Sequence, residues 1–380
     1  MRRLVLLLLL TGIAFPAFAA KRVTVAQLQQ TLGQAHGASD AEVAKRLAKL
    51  ELTERLGSAK LAAWEEGLPG VQSRATLVAL ADSSAFLDPP PDEIPATPAP
   101  NLEIQREMMQ AAVEYAEKTL SKLPNFFATR DMTQFEDEPS TPERRALFSG
   151  QPLQPMARSS ATVLYRDSKE VVDWTATKHR DSAAPQTGLI ISGEFGPILN
   201  TVLEDVAKGR LAWSHWEQGA AEPEAVFHYA VPKENSHYEV QFCCLQKIKR
   251  NVFRQFSGYH GEIAVNPSTG TILRLTMQAD LKPAYPMARA DLMVEYGPVE
   301  IGGKTYICPV RSVALALAEE QSPPQSTEPL NFSDLQSHGP DLSSQEFLQT
   351  LLNDVAFGNY HLFRSESRIL PANGPSPEQK

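Results

Sequence analysis

Two His-x-Glu pairs, His215 with Glu217 and His260 with Glu262, are the residues whose types and spacing could do chemistry. Residues two apart on a strand share a face, so each imidazole would stand beside a carboxylate, as a metal site or a base with its orienting acid requires. A catalytic zinc takes about three protein ligands, and neither pair brings a third. His215, His260 and Glu262 therefore read as a polar cluster on a solvated strand face, with no catalytic residue and no metal assigned. A secreted hydrolase built on these three residues is the rival reading. The stretch around Ser192 lacks the G-x-S-x-G nucleophile elbow, and there is neither a P-loop nor a dinucleotide fingerprint, so no cofactor is expected.

Trp213 and Trp216 flank His215. Indoles join a large apolar area to a single donor, which suits a ligand hollow, an interface, or a plug between helix and sheet. Cys243 and Cys244 are adjacent and Cys308 stands alone on a later strand. Neighbours in a strand point to opposite faces, so a disulfide is expected between Cys308 and one of Cys243 and Cys244.

These residues need strands to position them. In 258–279, Tyr259, Gly261, Ile263 and Val265 alternate with polar or small residues, and Leu273, Leu275 and Met277 do so after the turn 266–270. A period of two with one apolar face predicts an antiparallel hairpin. Ile263, Val265, Leu273, Leu275 and Met277 are expected to point together into the concave side of the sheet, toward a helix carrying Ile198 and Val202, as a filled core or a ligand hollow. Trp213, Trp216, Leu273, Leu275 and Met277 are thus the candidate ligand-binding residues. Further strands are expected at 125–136, in two pieces around Asp167 within 161–176, and at 189–192, 211–217, 225–231, 238–245, 290–296, 304–317 and 351–369, with 346–355 open to either strand or helix. Short connections favour one large antiparallel sheet.

The front of the chain has another period. Val25, Leu28 and Leu32, then Val43, Leu47 and Leu50, then Leu61 and Trp64, then Leu77 and Leu80 recur at helical spacing, and Ser39 with Glu42 has the form of a capping box. A packed helical unit over 20–87 is expected, with Trp64 as a possible docking residue. The proline-rich stretch 88–100 reads as an extended linker, followed by a curved β domain over 101–370 with helices at about 102–123 and 197–208. The fold class is α+β: a helical N-terminal unit, then a large curved antiparallel half-barrel packed on helices. Residues 319–344 read as a mobile loop and 371–380 as a disordered tail.

Arg2 and Arg3, the apolar run to Leu10 and the small residues Ala17 and Ala19 form a secretory leader over 1–19. The chain is expected to be exported, periplasmic or extracellular, with no transmembrane segment in its mature form. Loss of Arg2 and Arg3 takes the formal charge from -9 to -11. An acidic chain of this kind is poorly suited to nucleic acid.

The strings LPNFFATR at 123–130, GEFGPIL at 193–199, AWSHWE at 212–217, YHGEIAVNPSTGTILRLT at 259–276 and YHLFRSESRIL at 360–370, with LTERL at 52–56 and SSAFLDPP at 83–90, resemble uncharacterised secreted proteins of acidobacterial type. The C-terminal two-thirds resembles, more distantly, the lipoprotein-carrier (LolA-like) superfamily, whose hairpin form G-x-x-x-V-x-x-x-T-G-x-I-x-R is matched from Gly261 to Arg274. That resemblance implies an incompletely closed sheet around helices with an apolar hollow. The expected function is non-enzymatic: an envelope protein that binds a lipophilic ligand or a partner protein in the half-barrel. A purely structural interaction module is the third reading.

Overall fold

The computed structural model describes residues 20–35, 37–120, 122–147, 152–167, 169–173, 188–219, 222–243, 252–282, 287–322 and 345–363. The expected leader, the tail and Cys244 lie outside the described residues.

The helical unit comprises β1 (Lys21–Val23), α1 (Val25–Gly33), α2 (Asp40–Leu47), β2 (Leu50–Leu52), α3 (Ser58–Glu66) and α4 (Val71–Ser83). Thr24 opens α1 with a full capping box, its hydroxyl on the Gln27 N–H and the Gln27 side chain on its own. At Ser39 only half of the expected box forms, because Glu42 pairs with Arg46 one turn on. Leu50, expected to continue a helix, instead pairs with Lys21 in a short parallel ladder. Val25, Leu28, Val43, Leu47, Leu61 and Leu77 close a core between these elements. Asp40 ties α2 to α4 by accepting the Gln72 and Ser73 N–H groups at 3.0 and 2.8 Å, and a Cβ on Gly70 would sit 2.5 Å from its carboxylate.

A short 3-10 turn, Pro91–Glu93, lies in the proline-rich segment, and α5 (Leu102–Leu120) follows. The next elements are β3 (Phe126–Glu136), α6 (Pro142–Leu147), β4 (Gln154–Arg166), β5 (Lys169–Asp173), β6 (Gly188–Leu189) and α7 (Pro197–Val206). Apart from a 3-10 turn at Lys233–Asn235, the remaining elements are strands: β7 (Arg210–Glu217), β8 (Glu224–Val231), β9 (Glu239–Cys243), β10 (Val252–Phe256), β11 (Tyr259–Val265), β12 (Ile272–Ala279), β13 (Met287–Ile301), β14 (Lys304–Ser322) and β15 (Gln345–Leu362). The stretch 346–355 is strand throughout. The expected loop from 319 begins later, since β14 runs on to Ser322.

Ten of these strands form one antiparallel sheet in the order β5-β4-β3-β15-β14-β13-β12-β11-β8-β7, open at both edges and not closed into a barrel. The class is α+β. A second sheet, β10-β9-β6, lies against the inner face. Met109, Ala112 and Ala116 of α5, Val202 and Val206 of α7, and Val240 and Phe242 of β9 meet Phe227, Ile263, Leu275, Met277, Leu292 and Val294 in one core. The inner side is therefore filled. Each such side chain, fully buried, contributes roughly 1.5–3 kcal/mol.

The outer face is covered too. Ala75 and Ala79 of α4 pack on Phe135, Met293, Val313, Leu315 and Leu352. Small residues let this helix approach the sheet closely, which is why α4 has no single apolar stripe: one side serves the helical core and the other the sheet.

Two expectations need correction. Leu273 does not join the inner face. Ile263 pairs with Leu275 but Val265 with Ile272, so Leu273 is the extra residue of a β-bulge, half-buried, and Ile272 takes its place in the core. Cys308 forms no disulfide: it is a free thiol, 1% exposed, on β14 of the large sheet, among Phe126, Phe195 and Phe357. Cys243 ends β9 of the small sheet. Strand candidates that look adjacent in sequence belong here to different layers. Burial pushes the Cys308 thiol up to about 12.

Candidate functional site

A second bulge, between Trp213 and His215 on β7, sorts that strand. It puts Trp213 and Trp216 on the inner side, edge to face at 4.9 Å, with Trp213 also against Phe227 at 5.5 Å. Both indoles pack onto the main core, and Trp216 Nε1 donates to the Pro98 carbonyl at 3.1 Å. They plug the edge of the sheet under the linker. Leu275 and Met277 are each 1% exposed in the same core, so the inner candidate residues line no open hollow.

The bulge sends His215 and Glu217 to the outer face, where a charged network forms. Arg274 meets Glu217 with both ends of its guanidinium, at 2.9 and 2.8 Å, and reaches Glu262 at 3.5 Å. Arg55 comes from the segment between β2 and α3, donates to the same Glu217 carboxylate and lies 4.0 Å from Glu262. His215 Nε2 stands 3.7 Å from Glu217, and His228 Nδ1 stands 3.8 Å from Glu262. Burial alone would raise the Glu217 carboxyl; the nearby His215 and the bonds from Arg274, with the charges of Arg274 and Arg55, outweigh it and hold the group well below the usual range. Two arginines stand against Glu217 and Glu262, with Glu224 and Glu295 also close enough to feel these charges.

His260 is not part of it. Its Nδ1 pairs with Asp280 at 2.8 Å in an exposed position near the end of the hairpin. Of the expected polar cluster, the structure gathers His215 and Glu262 around Arg274 and sends His260 elsewhere. Glu217 is fully engaged by Arg274 and Arg55, while His215 Nε2 and Arg274 Nε are buried without a hydrogen-bond partner. Among the described residues, no group of three or more His, Cys, Asp or Glu is arranged to hold a metal.

A parallel cluster holds α4. Arg311 donates to Asp354 at 3.1 Å, to Ser58 at 3.0 Å and to Asp82, while Ser58 donates to Glu295 at 2.5 Å. Arg55, Ser58 and Asp82 belong to the helical unit; their partners belong to the sheet.

Beside this contact the two units part into a cleft of about 340 Å³. Leu47, Leu52 and Leu80 stand on the helical wall, and Leu153, Leu315 and Leu317 on the sheet wall. Arg22, Arg145 and Arg289 line it together with Glu51 and Asp137. Arg145 is held by Asp137, Thr350 and the Leu348 carbonyl, yet its Nε is buried without a partner. Arg289 lies over the Phe86 ring at 5.7 Å. The size falls in the range of roughly 300–1,000 Å³ usual for small-molecule sites.

Sequence reasoning missed the cleft and both arginines of the central network. Arg274 had a signal, since it closes the T-G-x-I-x-R pattern of the hairpin on the strand face opposite Leu275. The cleft had none, because its walls come from separate parts of the chain, Leu47 to Leu80 on one side and Leu153, Leu315 and Leu317 on the other. No family model, no curated protein and no solved structure matches the chain.

Proposed function

We propose that the chain is an exported, non-enzymatic binding protein that seats a lipophilic ligand between its helical unit and the outer face of its sheet. The observation that carries this reading is the cleft with leucines on both walls and guanidinium groups at its margin. Apolar walls supply affinity for a chain or ring, and a few polar groups orient it. The ion pairing of Glu262 with Arg274 and Arg55, and the separation of His260 from His215 and Glu262, weigh against the hydrolase reading. The hairpin's similarity to lipoprotein carriers supports a lipophilic class of ligand, but the seat proposed here is on the opposite face from the hollow of that family.

The test is organic extraction of the purified exported protein followed by mass spectrometry, beside Leu317→Glu. An apolar compound that leaves with wild-type protein and is depleted at least about tenfold in the folded variant supports the reading; equal loading of both, or nothing bound by either, overturns it. A groove of about 320 Å³ at Leu32, Val43, Trp64 and Leu68 favours a second role, docking of a partner protein by the helical unit. Trp64→Ala would abolish such docking without loss of ligand.

A further inference from the structure

Three buried oxygens near one end of α7 have no hydrogen-bond partner: Glu170 Oε1, Glu194 Oε2 and the Tyr296 hydroxyl. Glu194 is fully buried and Tyr296 is 8% exposed. Glu194 belongs to the loop 193–196 that leads into α7. Its Oε1 accepts from Ser312 Oγ at 3.0 Å and lies 3.9 Å from Arg130 Nη2. Glu170 reaches the same loop from β5, where its Oε2 accepts the Gly193 N–H at 2.9 Å and its carboxyl also takes the Phe195 N–H. Phe195 anchors the loop, with Phe357, Phe126 and Tyr360 at 5.1, 5.5 and 6.1 Å. Positive φ at Gly193 and Gly196, 92° and 151°, makes the sharp turn possible.

Charge counting exposes a deficit. Facing the two carboxyls are Arg130 from β3, Tyr296 from β13 and Tyr360 from β15, the last beside Cys308 of β14. Burial keeps both phenols and the thiol neutral. One guanidinium then stands against two carboxylates, in a packed place where an uncompensated charge is costly. Burial first, and then the neighbouring Glu194, raise the Glu170 carboxyl to about 7.

We propose that a proton on Glu170, buried beside Glu194, latches the loop 193–196, so that its release to solvent loosens α7 from the inner face. The escape route is structural. β5 is an edge strand of five residues, paired only with β4 among the described residues and exposed at Lys169 and Val171. An ionised Glu170 gains water by turning outward, and the Gly193 and Phe195 N–H groups then lose their acceptor. This goes beyond ligand binding on the outer face and concerns when the inner face opens.

Hydrogen exchange of the peptide 193–206, corrected for the intrinsic pH dependence of exchange, tests it in the full chain. Wild-type protection is expected to fall at least about tenfold between pH 6 and pH 8.5, while Glu170→Gln, which keeps an acceptor and cannot ionise, stays within about twofold. Glu194→Gln, which removes the neighbouring charge, should move the fall to lower pH. Wild-type protection that does not change with pH, or the same fall in Glu170→Gln, would overturn the proposal.

Discussion

Arg274 grips both oxygens of Glu217 while Arg55 reaches the same carboxylate from the helical unit. Such a buried pair is costly to break, since removing one partner strands the other charge. Arg274→Met should lose about 3–5 kcal/mol in chemical denaturation. Glu217 is held below its ordinary value of 4.5, so its stabilisation is fully present above that pH and is lost as the pH falls further. Glu170 acts oppositely: raised from 4.5 to about 7, it favours the folded chain below 4.5 and loses that contribution as the pH climbs through 7. Denaturation midpoints across pH should therefore slope down on the acid side in wild type, with that slope shallower in Arg274→Met. On the neutral side a second, separate decline should disappear in Glu170→Gln.

At the scale of elements, the hairpin β11–β12 shows how position and turn chemistry combine. Asn266 Oδ1 accepts the Ser268 and Thr269 N–H groups, each at 2.9 Å, and Gly270 turns at φ +72°. A Cβ on Gly270 would stand 2.5 Å from the Ala111 carbonyl of α5. Gly270→Ala should therefore cost about 1–3 kcal/mol by strain, and more if α5 has to shift. Leu275→Ala, in the filled core, should cost about 2–5 kcal/mol, and a near-zero change would contradict the packing described for α5 and α7. The hairpin, the helical repeats and most strands were legible from period alone, because a period of two or of 3.6 is a local property. The bulges were not. An extra residue at Leu273 or Ser214 leaves no local mark beyond a broken alternation, yet it decides which side chains face inward. β10 was missed because its alternation, Val252, Arg254 and Phe256 outward, puts apolar and charged residues on the same exposed side. Glu170 and Glu194 lie 24 residues apart with β6 between them, so no spacing rule joins them.

Across the whole molecule, the helical unit and the sheet share the Arg55, Ser58 and Asp82 contacts and the packing of α4. They should unfold together. Urea denaturation followed by helix signal and by tryptophan fluorescence is expected to give one coincident transition; two separated transitions would show independent units. The segment between them serves both. The Arg55 N–H donates to the Asp88 carbonyl, Lys60 pairs with Glu93, the Gln218 N–H donates to the Glu93 carbonyl and Trp216 to that of Pro98. The last two bonds fall at β7, where the ten-stranded sheet ends. A sheet margin with free N–H and C=O groups invites a second copy to add on, and repeated addition makes fibrils. Proline carries no donor, so a proline-rich strap tied at the Gln218 end of that margin adds no ladder of its own. The strap that joins the two units should therefore hinder self-polymerisation at that end of the sheet, and Trp216→Phe, which releases one of its ties, should make concentrated protein assemble faster.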